Sequence, residues 1–154
     1  DRTLTPALRS FGLAEVRIAG RMEVLRRAPL FLIDGAHNAA SATALAGALR
    51  ELYPGRRRIL ILGVSADHSA ADVVGTLAPD AAIVIATQAD NPRALPAEAV
   101  AAEARRHVAD VRIAVPVADA VRLALELAGP EDLICATGSF FVIGEIDRQM
   151  VARA

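Results

Sequence analysis

At 154 residues the chain suits one compact domain, long enough to bury about 70% of its unfolded surface around a single core. Hydrophobic residues make up 54% and charged residues 23%, which excludes a disordered composition, and a net charge of -1 with interspersed signs excludes the basic footprint of a nucleic-acid or membrane-surface binder. All 17 basic residues are arginine, so the chain has no lysine for a Schiff base or a phosphate loop.

Residues 1–19 contain Pro6 and Gly12 with weak periodicity and read as a joining segment from an upstream domain, leaving 20–154 as the folded unit. From Met22 onward, short aliphatic runs alternate with Ala/Leu-rich stretches of helical period, the pattern of parallel strands with crossover helices. Strands over 22–25 and 30–33 form a pair around Arg26-Arg27-Ala28-Pro29, and a helix over 39–52 is stopped by Pro54-Gly55. A strand over 58–62, a helix over 70–77, a strand over 82–86 and a helix over 96–109 opened by Pro96 come next. A strand over 111–115, a helix over 118–127, a strand over 133–136 and a last helix over 140–151 complete the set. The expected class is α/β, a Rossmann-like and mostly parallel sheet with helices on both faces.

The single cysteine, Cys135, lies in the apolar run 132–137, which precludes an internal disulfide and suits a reducing compartment as a buried thiol. No apolar run approaches the roughly 18 residues of a membrane span, and Asp1-Arg2-Thr3-Leu4 lacks a secretory pattern. The expected location is the cytoplasm.

An open parallel sheet binds ligands beyond the carboxyl ends of its strands, where loops meet helix amino termini. Asp34 ends an apolar strand before a glycine turn; it serves either as a turn or capping aspartate or as an acceptor for ribose hydroxyls or a metal-bound water. His37 and Asn38 precede the helix over 39–52, where unpaired N–H groups favour an anion. Asn38 is most simply the helix cap, whereas His37 sits in a polar loop and lacks the explanation that suits a histidine on an apolar face. Thr137-Gly138-Ser139 offers two hydroxyls and free N–H groups to a carboxylate or phosphate, or is an ordinary cap. His68 lies in a ligand-edge loop, while His107 beside Arg105 and Arg106 reads as surface. The sequence contains neither G-x-x-x-x-G-K-[ST] nor G-x-G-x-x-G, no Cys/His spacing for zinc and no G-x-S-x-G elbow. It therefore shows no nucleotide cradle, no metal site and no hydrolase nucleophile of its own.

Gly20-Arg21-Met22-Glu23, Asp34-Gly35-Ala36-His37-Asn38, Asp90-Asn91-Pro92-Arg93-Ala94 and Thr137-Gly138-Ser139 together resemble, in order and spacing, the carboxy-terminal domain of folylpolyglutamate and dihydrofolate synthases of the Mur ligase superfamily. The D-G-A-H-N loop is the most specific part. The resemblance implies a ligase in which ATP phosphorylates a pterin or folate carboxylate and the amine of L-glutamate attacks the acyl phosphate. It implies that ATP and Mg2+ are bound mainly by an upstream ATPase domain, so that this domain alone is inactive. It further implies that Arg21 reaches ATP across the domain cleft, that Asp34 contacts the nucleotide, that His37 acts near the phosphates and incoming glutamate, and that Ser139 lies near the amino-acid substrate. Where family members often carry Asp-Lys after the second strand, this chain reads Asp67-His68, so either His68 holds the glutamate carboxylate as a titratable anchor in place of an always-charged one, or glutamate binding rests on other groups. Two other readings are a non-catalytic Rossmann-like module that binds a small anion, and a related ligase with another acceptor.

Overall fold

Leu30-Phe31-Leu32-Ile33 and Leu133-Ile134-Cys135-Ala136 carry no polar side chain, and all eight residues are buried. Strands so apolar on both faces belong in the middle of a sheet covered on both sides. The computed structural model describes residues 20–154, and the expected joining segment over 1–19 lies outside the described residues. The strands are β1 (Glu23–Arg27), β2 (Leu30–Ile33), β3 (Arg58–Leu62), β4 (Ile83–Ala86), β5 (Asp110–Ile113) and β6 (Leu133–Thr137), in the spatial order β1-β2-β6-β3-β4-β5. β2, β6, β3, β4 and β5 run parallel. β1 pairs antiparallel with β2 because only Ala28-Pro29 joins them, a connection too short for a parallel crossover.

The helices are α1 (Ala39–Leu52), α2 (Ala70–Leu77), α3 (Ala97–Ala104), α4 (Val117–Leu127), α5 (Phe140–Gly144) and α6 (Arg148–Arg153), with a 3-10 turn at Ala78–Asp80. Alternation along each strand divides the core. Leu32, Leu60, Leu62 and Val84 pack with Leu45 and Leu49 of α1, Val73 and Val74 of α2 and Val100 of α3. Phe31, Ile33, Ile59, Ile61 and Ile85 pack with Val117, Val121 and Ala124 of α4, Val142 and Ile143 of α5 and Val151 of α6 on the opposite face. The α/β class and the two covered faces are as the sequence implies.

Several boundaries differ from expectation, and β1 runs on to Arg27 instead of ending at Leu25, which leaves only Ala28-Pro29 as the turn. α3 stops at Ala104, not 109, because the Ala104 carbonyl accepts the N–H groups of both His107 and Val108, at 2.9 and 3.0 Å, and the chain turns into β5. β5 accordingly starts at Asp110 and ends at Ile113, short of Pro116, whose nitrogen has no hydrogen for a ladder. The single helix expected over 140–151 is two, since Gly144 favours helix poorly, Ile146 turns into the core, and Asp147 caps a new start by accepting from the N–H groups of Gln149 and Met150, each at 3.0 Å.

Cys135, midway along β6, is fully buried, and that burial, with the Asp34 carboxylate nearby, pushes its thiol pKa up. Alkylation with a thiol reagent is therefore expected to be negligible in the folded chain and complete in denaturant; rapid labelling without denaturant would contradict the packing.

Candidate functional site

β6, last in sequence, lies between β2 and β3, so the turns that follow these three strands are neighbours although a hundred residues separate the first from the last. α1 leaves the carboxyl end of β2 across one face and α5 leaves that of β6 across the other, the divergence at which an open parallel sheet places its ligand crevice. The turns are locked to one another by their backbones. Gly138 N–H donates to the Ala36 carbonyl at 3.0 Å, and Gly63 N–H to the Thr137 carbonyl at 3.4 Å.

Asp34 emerges at the end of β2 and is 5% exposed. Its Oδ1 accepts from Ala36 N–H at 2.8 Å, closing its own turn, and its Oδ2 accepts from Met22 N–H at 3.0 Å, fastening the segment that carries Arg21. Gly35 N–H reinforces this by donating to the Gly20 carbonyl at 2.6 Å. Met22 has φ 47, a left-handed conformation costing a non-glycine residue about 1 kcal/mol, and the bond to Asp34 holds it there. Arg21 is exposed. With Met22, Asp34, Ser41 and Leu45 it lines a cleft of about 270 Å³ against α1. Each Asp34 oxygen keeps a lone pair for a further donor.

A second cleft, of about 200 Å³, is lined by His37, Asp67, His68, Arg93, Ser139 and Phe140 among others. His37 Nδ1 lies 2.9 Å from the Gly35 carbonyl oxygen, and since a carbonyl only accepts, Nδ1 carries the hydrogen and Nε2 is the free acceptor. The His37 and His68 rings stand 5.0 Å apart, edge to face. Asn38 is the α1 cap, as expected: its Oδ1 accepts from Ser41 N–H at 2.8 Å while Ser41 Oγ accepts from Asn38 N–H at 3.1 Å. Ser139 is 4% exposed and its Oγ accepts from Phe141 N–H at 3.0 Å, so it caps α5 and keeps its own hydrogen to donate.

The structure thus brings His37, His68 and Ser139 into one cleft and Arg21 with Asp34 into another, and the D-G-A-H-N loop contributes a residue to each. His107 is placed elsewhere, 3.5 Å from Glu103. Two further residues enter the site. Arg93 reaches the second cleft because its carbonyl accepts from Ala66 N–H at 2.6 Å and Ser65 bridges Ala94; its guanidinium is 68% exposed and stands 3.8 Å from Asp67. The signal for it was the Asp90-Asn91-Pro92-Arg93 run, read for resemblance and not for a role. Phe140 is the other, and nothing in an aromatic residue at a helix start marked it. A third cleft, about 360 Å³ and lined by Gln88, Ala89, Asp90, Val115 and Pro116, holds none of the expected residues. Among the described residues no group of three or more His, Cys, Asp or Glu side chains could hold a metal ion.

Residues 20–140 match the family described as Mur ligase, glutamate ligase domain. The dihydrofolate synthase/folylpolyglutamate synthase of Mycobacterium tuberculosis is 38% identical over 118 residues, which are 75% of this chain and 24% of that protein. The UDP-N-acetylmuramoyl-L-alanyl-D-glutamate--2,6-diaminopimelate ligase of Corynebacterium efficiens is 34% identical over 149 residues, 88% of this chain and 28% of that protein. Among solved structures, Mycobacterium tuberculosis folylpolyglutamate synthase complexed with ADP and AMPPCP superimposes with a TM-score of 0.79 at 33% identity, covering 92% of this chain and 34% of that one. The chain spans about a quarter to a third of the length of these relatives.

Proposed function

Since the chain belongs to the glutamate ligase domain family of the Mur ligases, we propose that it is the carboxy-terminal domain of an ATP-dependent ligase that joins L-glutamate to dihydropteroate or a folylpolyglutamate. The observation that carries this reading is a pair of clefts lined by residues of one loop, an arginine and a carboxylate in the first and two imidazoles with an arginine in the second. A single rigid loop that contributes to both the nucleotide and the amine sites fixes the position of one relative to the other, which is what an acyl transfer to an amine requires.

In the first cleft, the exposed Arg21 guanidinium suits the phosphates of ATP, and Asp34, with lone pairs to spare, suits a hydroxyl of the nucleotide. The magnesium of the reaction is assigned to the upstream ATPase domain, where it would neutralise the charge of the transferring phosphoryl group. In the second cleft, Arg93 presents positive charge to the carboxylates of L-glutamate, and His68 and Ser139 can donate to their oxygens. His37 Nε2, the free acceptor of its ring, is suited to take a proton from the glutamate amine as it attacks the acyl phosphate. The substrates and the single buried thiol suit the cytoplasm, and among the described residues no helix is long and apolar enough to cross a membrane.

A second reading is favoured by the similarity to the diaminopimelate ligase: the same chemistry with another amino acid and another acceptor. The two are separated by offering the full-length protein ATP, magnesium and L-glutamate with dihydropteroate, then tetrahydrofolate, and in parallel diaminopimelate with a UDP-muramoyl dipeptide. ADP release that depends on a pterin supports the first reading; release only with the peptide acceptor replaces it with the second.

His68→Lys puts a permanent charge where the imidazole stands and is expected to lower KM for glutamate. An unchanged KM in the variant would remove His68 from the glutamate site.

A further inference from the structure

Phe140 is 48% exposed, so packing alone does not account for its place, yet its ring is surrounded on the side that faces the site. A Cβ added at Gly35 would stand 2.3 Å from the ring and one at Gly20 3.6 Å, so the aromatic edge rests on the bare backbone of two glycines. Those glycines are joined by the 2.6 Å bond from Gly35 N–H to the Gly20 carbonyl, and each adjoins a nucleotide-cleft residue: Gly20 precedes Arg21 and Gly35 follows Asp34. The Arg21 guanidinium carbon lies 5.6 Å from the ring centroid, within cation–π range. The His37 ring lies 5.6 Å from the Phe140 ring, centroid to centroid, tilted by 48°.

We propose that Phe140 is a positioning residue of the ligase site, holding Arg21 over its ring and His37 beside it, and so fixing the distance between the group that meets ATP and the group that meets the incoming amine. This inference rests on the ligase reading for its catalytic consequence, although the placement of Arg21 and His37 is measurable without it. Ser139 sets the ring at the start of α5 through its bond to Phe141 N–H, which gives that cap a role in aligning the site. An aromatic ring is the feature required: leucine fills similar space without a π face, whereas tyrosine keeps one.

The test compares F140L with F140Y. In the 154-residue chain, which has a core on each face of its sheet, the side-chain NMR signals of Arg21 and His37 should lose their ring-current displacement in F140L and keep it in F140Y, with thermal midpoints close to wild type. In the full-length ligase, F140L should raise KM for ATP about three- to fivefold, the range expected for one exposed cation–π contact, and lower kcat by roughly tenfold while leaving KM for the pterin near wild type. F140Y should restore both parameters. Unmoved Arg21 and His37 signals in F140L overturn the proposal, as does an F140Y variant impaired as severely as F140L. A wild-type enzyme without glutamate-dependent ADP release sinks the ligase reading instead, and the NMR comparison still decides the positioning.

Discussion

Gly138→Ala is expected to cost about 3 kcal/mol or more of stability, the largest effect of any single methyl group added at the ligand edge. Gly138 has φ 102, a conformation that strains an L side chain. Its added Cβ would stand 2.2 Å from the Gly63 carbonyl oxygen and 3.1 Å from the carbonyl carbon, both backbone atoms. Gly63 has little room to retreat, because its N–H is bonded to Thr137 and its own Cβ position lies 2.5 Å from Val142 Cγ2. Relief must come from separating the turns after β3 and β6, and that separation would also draw Ser139 away from His68. Urea unfolding of the 154-residue chain measures the loss as a lowered midpoint at constant slope. A midpoint within about 0.5 kcal/mol of wild type would show that these turns tolerate a spacing the structure does not have.

Asp34→Asn is the second large effect, and it acts on stability and catalysis by one route. Both carboxylate oxygens accept backbone N–H groups, from Ala36 and from Met22. An amide has a single oxygen, so one of those donors would face an NH2 group with no acceptor, and a buried donor left unpaired costs about 1–3 kcal/mol. If the Met22 bond is the one lost, the strained φ at Met22 loses its direct restraint, only the Gly35–Gly20 backbone bond still ties the segment down, and Arg21 shifts in its cleft. Expected results are a stability loss of about 2 kcal/mol and, in the full-length ligase, a fall of at least about 100-fold in kcat/KM for ATP. A variant as stable as wild type would contradict the hydrogen-bond account, and one that is destabilised but fully active would confine Asp34 to holding its turn.

Much of the fold is legible from local signals. α1 is bounded by Asn38 and by Pro54-Gly55, α2 by the Ser69 cap, and β3 is a run of buried apolar residues behind Arg58, so their limits follow from cap, stop and pattern. The break between α5 and α6 is not local: it depends on Ile146 finding the core beneath the sheet, a tertiary contact that outweighs helical periodicity. Nor is the strand order local, because the insertion of β6 between β2 and β3 joins segments from opposite ends of the chain. The site divides in the same way. Asp34, His37 and Ser139 were legible because each follows an apolar strand and precedes a helix, which places it at the ligand edge. Arg93 and Phe140 owe their positions to contacts made across loops, the Ser65–Ala94 bridge and the glycine backbones of Gly20 and Gly35, and no sequence period records those. The structure also shows that three of the expected site residues have structural duties: Asp34 fastens the Arg21 segment, His37 is held to the Gly35 carbonyl, and Ser139 caps α5.

In the proposed ligase this domain supplies one wall of the cleft in which ATP phosphorylates the pterin carboxylate and L-glutamate then attacks the acyl phosphate, with Arg21 reaching the nucleotide. A coupled ADP-release assay on the full-length protein, with ATP, magnesium and a pterin acceptor, tests it most directly when L-glutamate is added last and wild type is compared with Arg21→Ala. Sustained, multiple-turnover ADP release that requires glutamate is expected in the wild type and should be almost abolished in the variant, whose fold should be intact because Arg21 is exposed. Glutamate-dependent release at the wild-type rate from Arg21→Ala would contradict it.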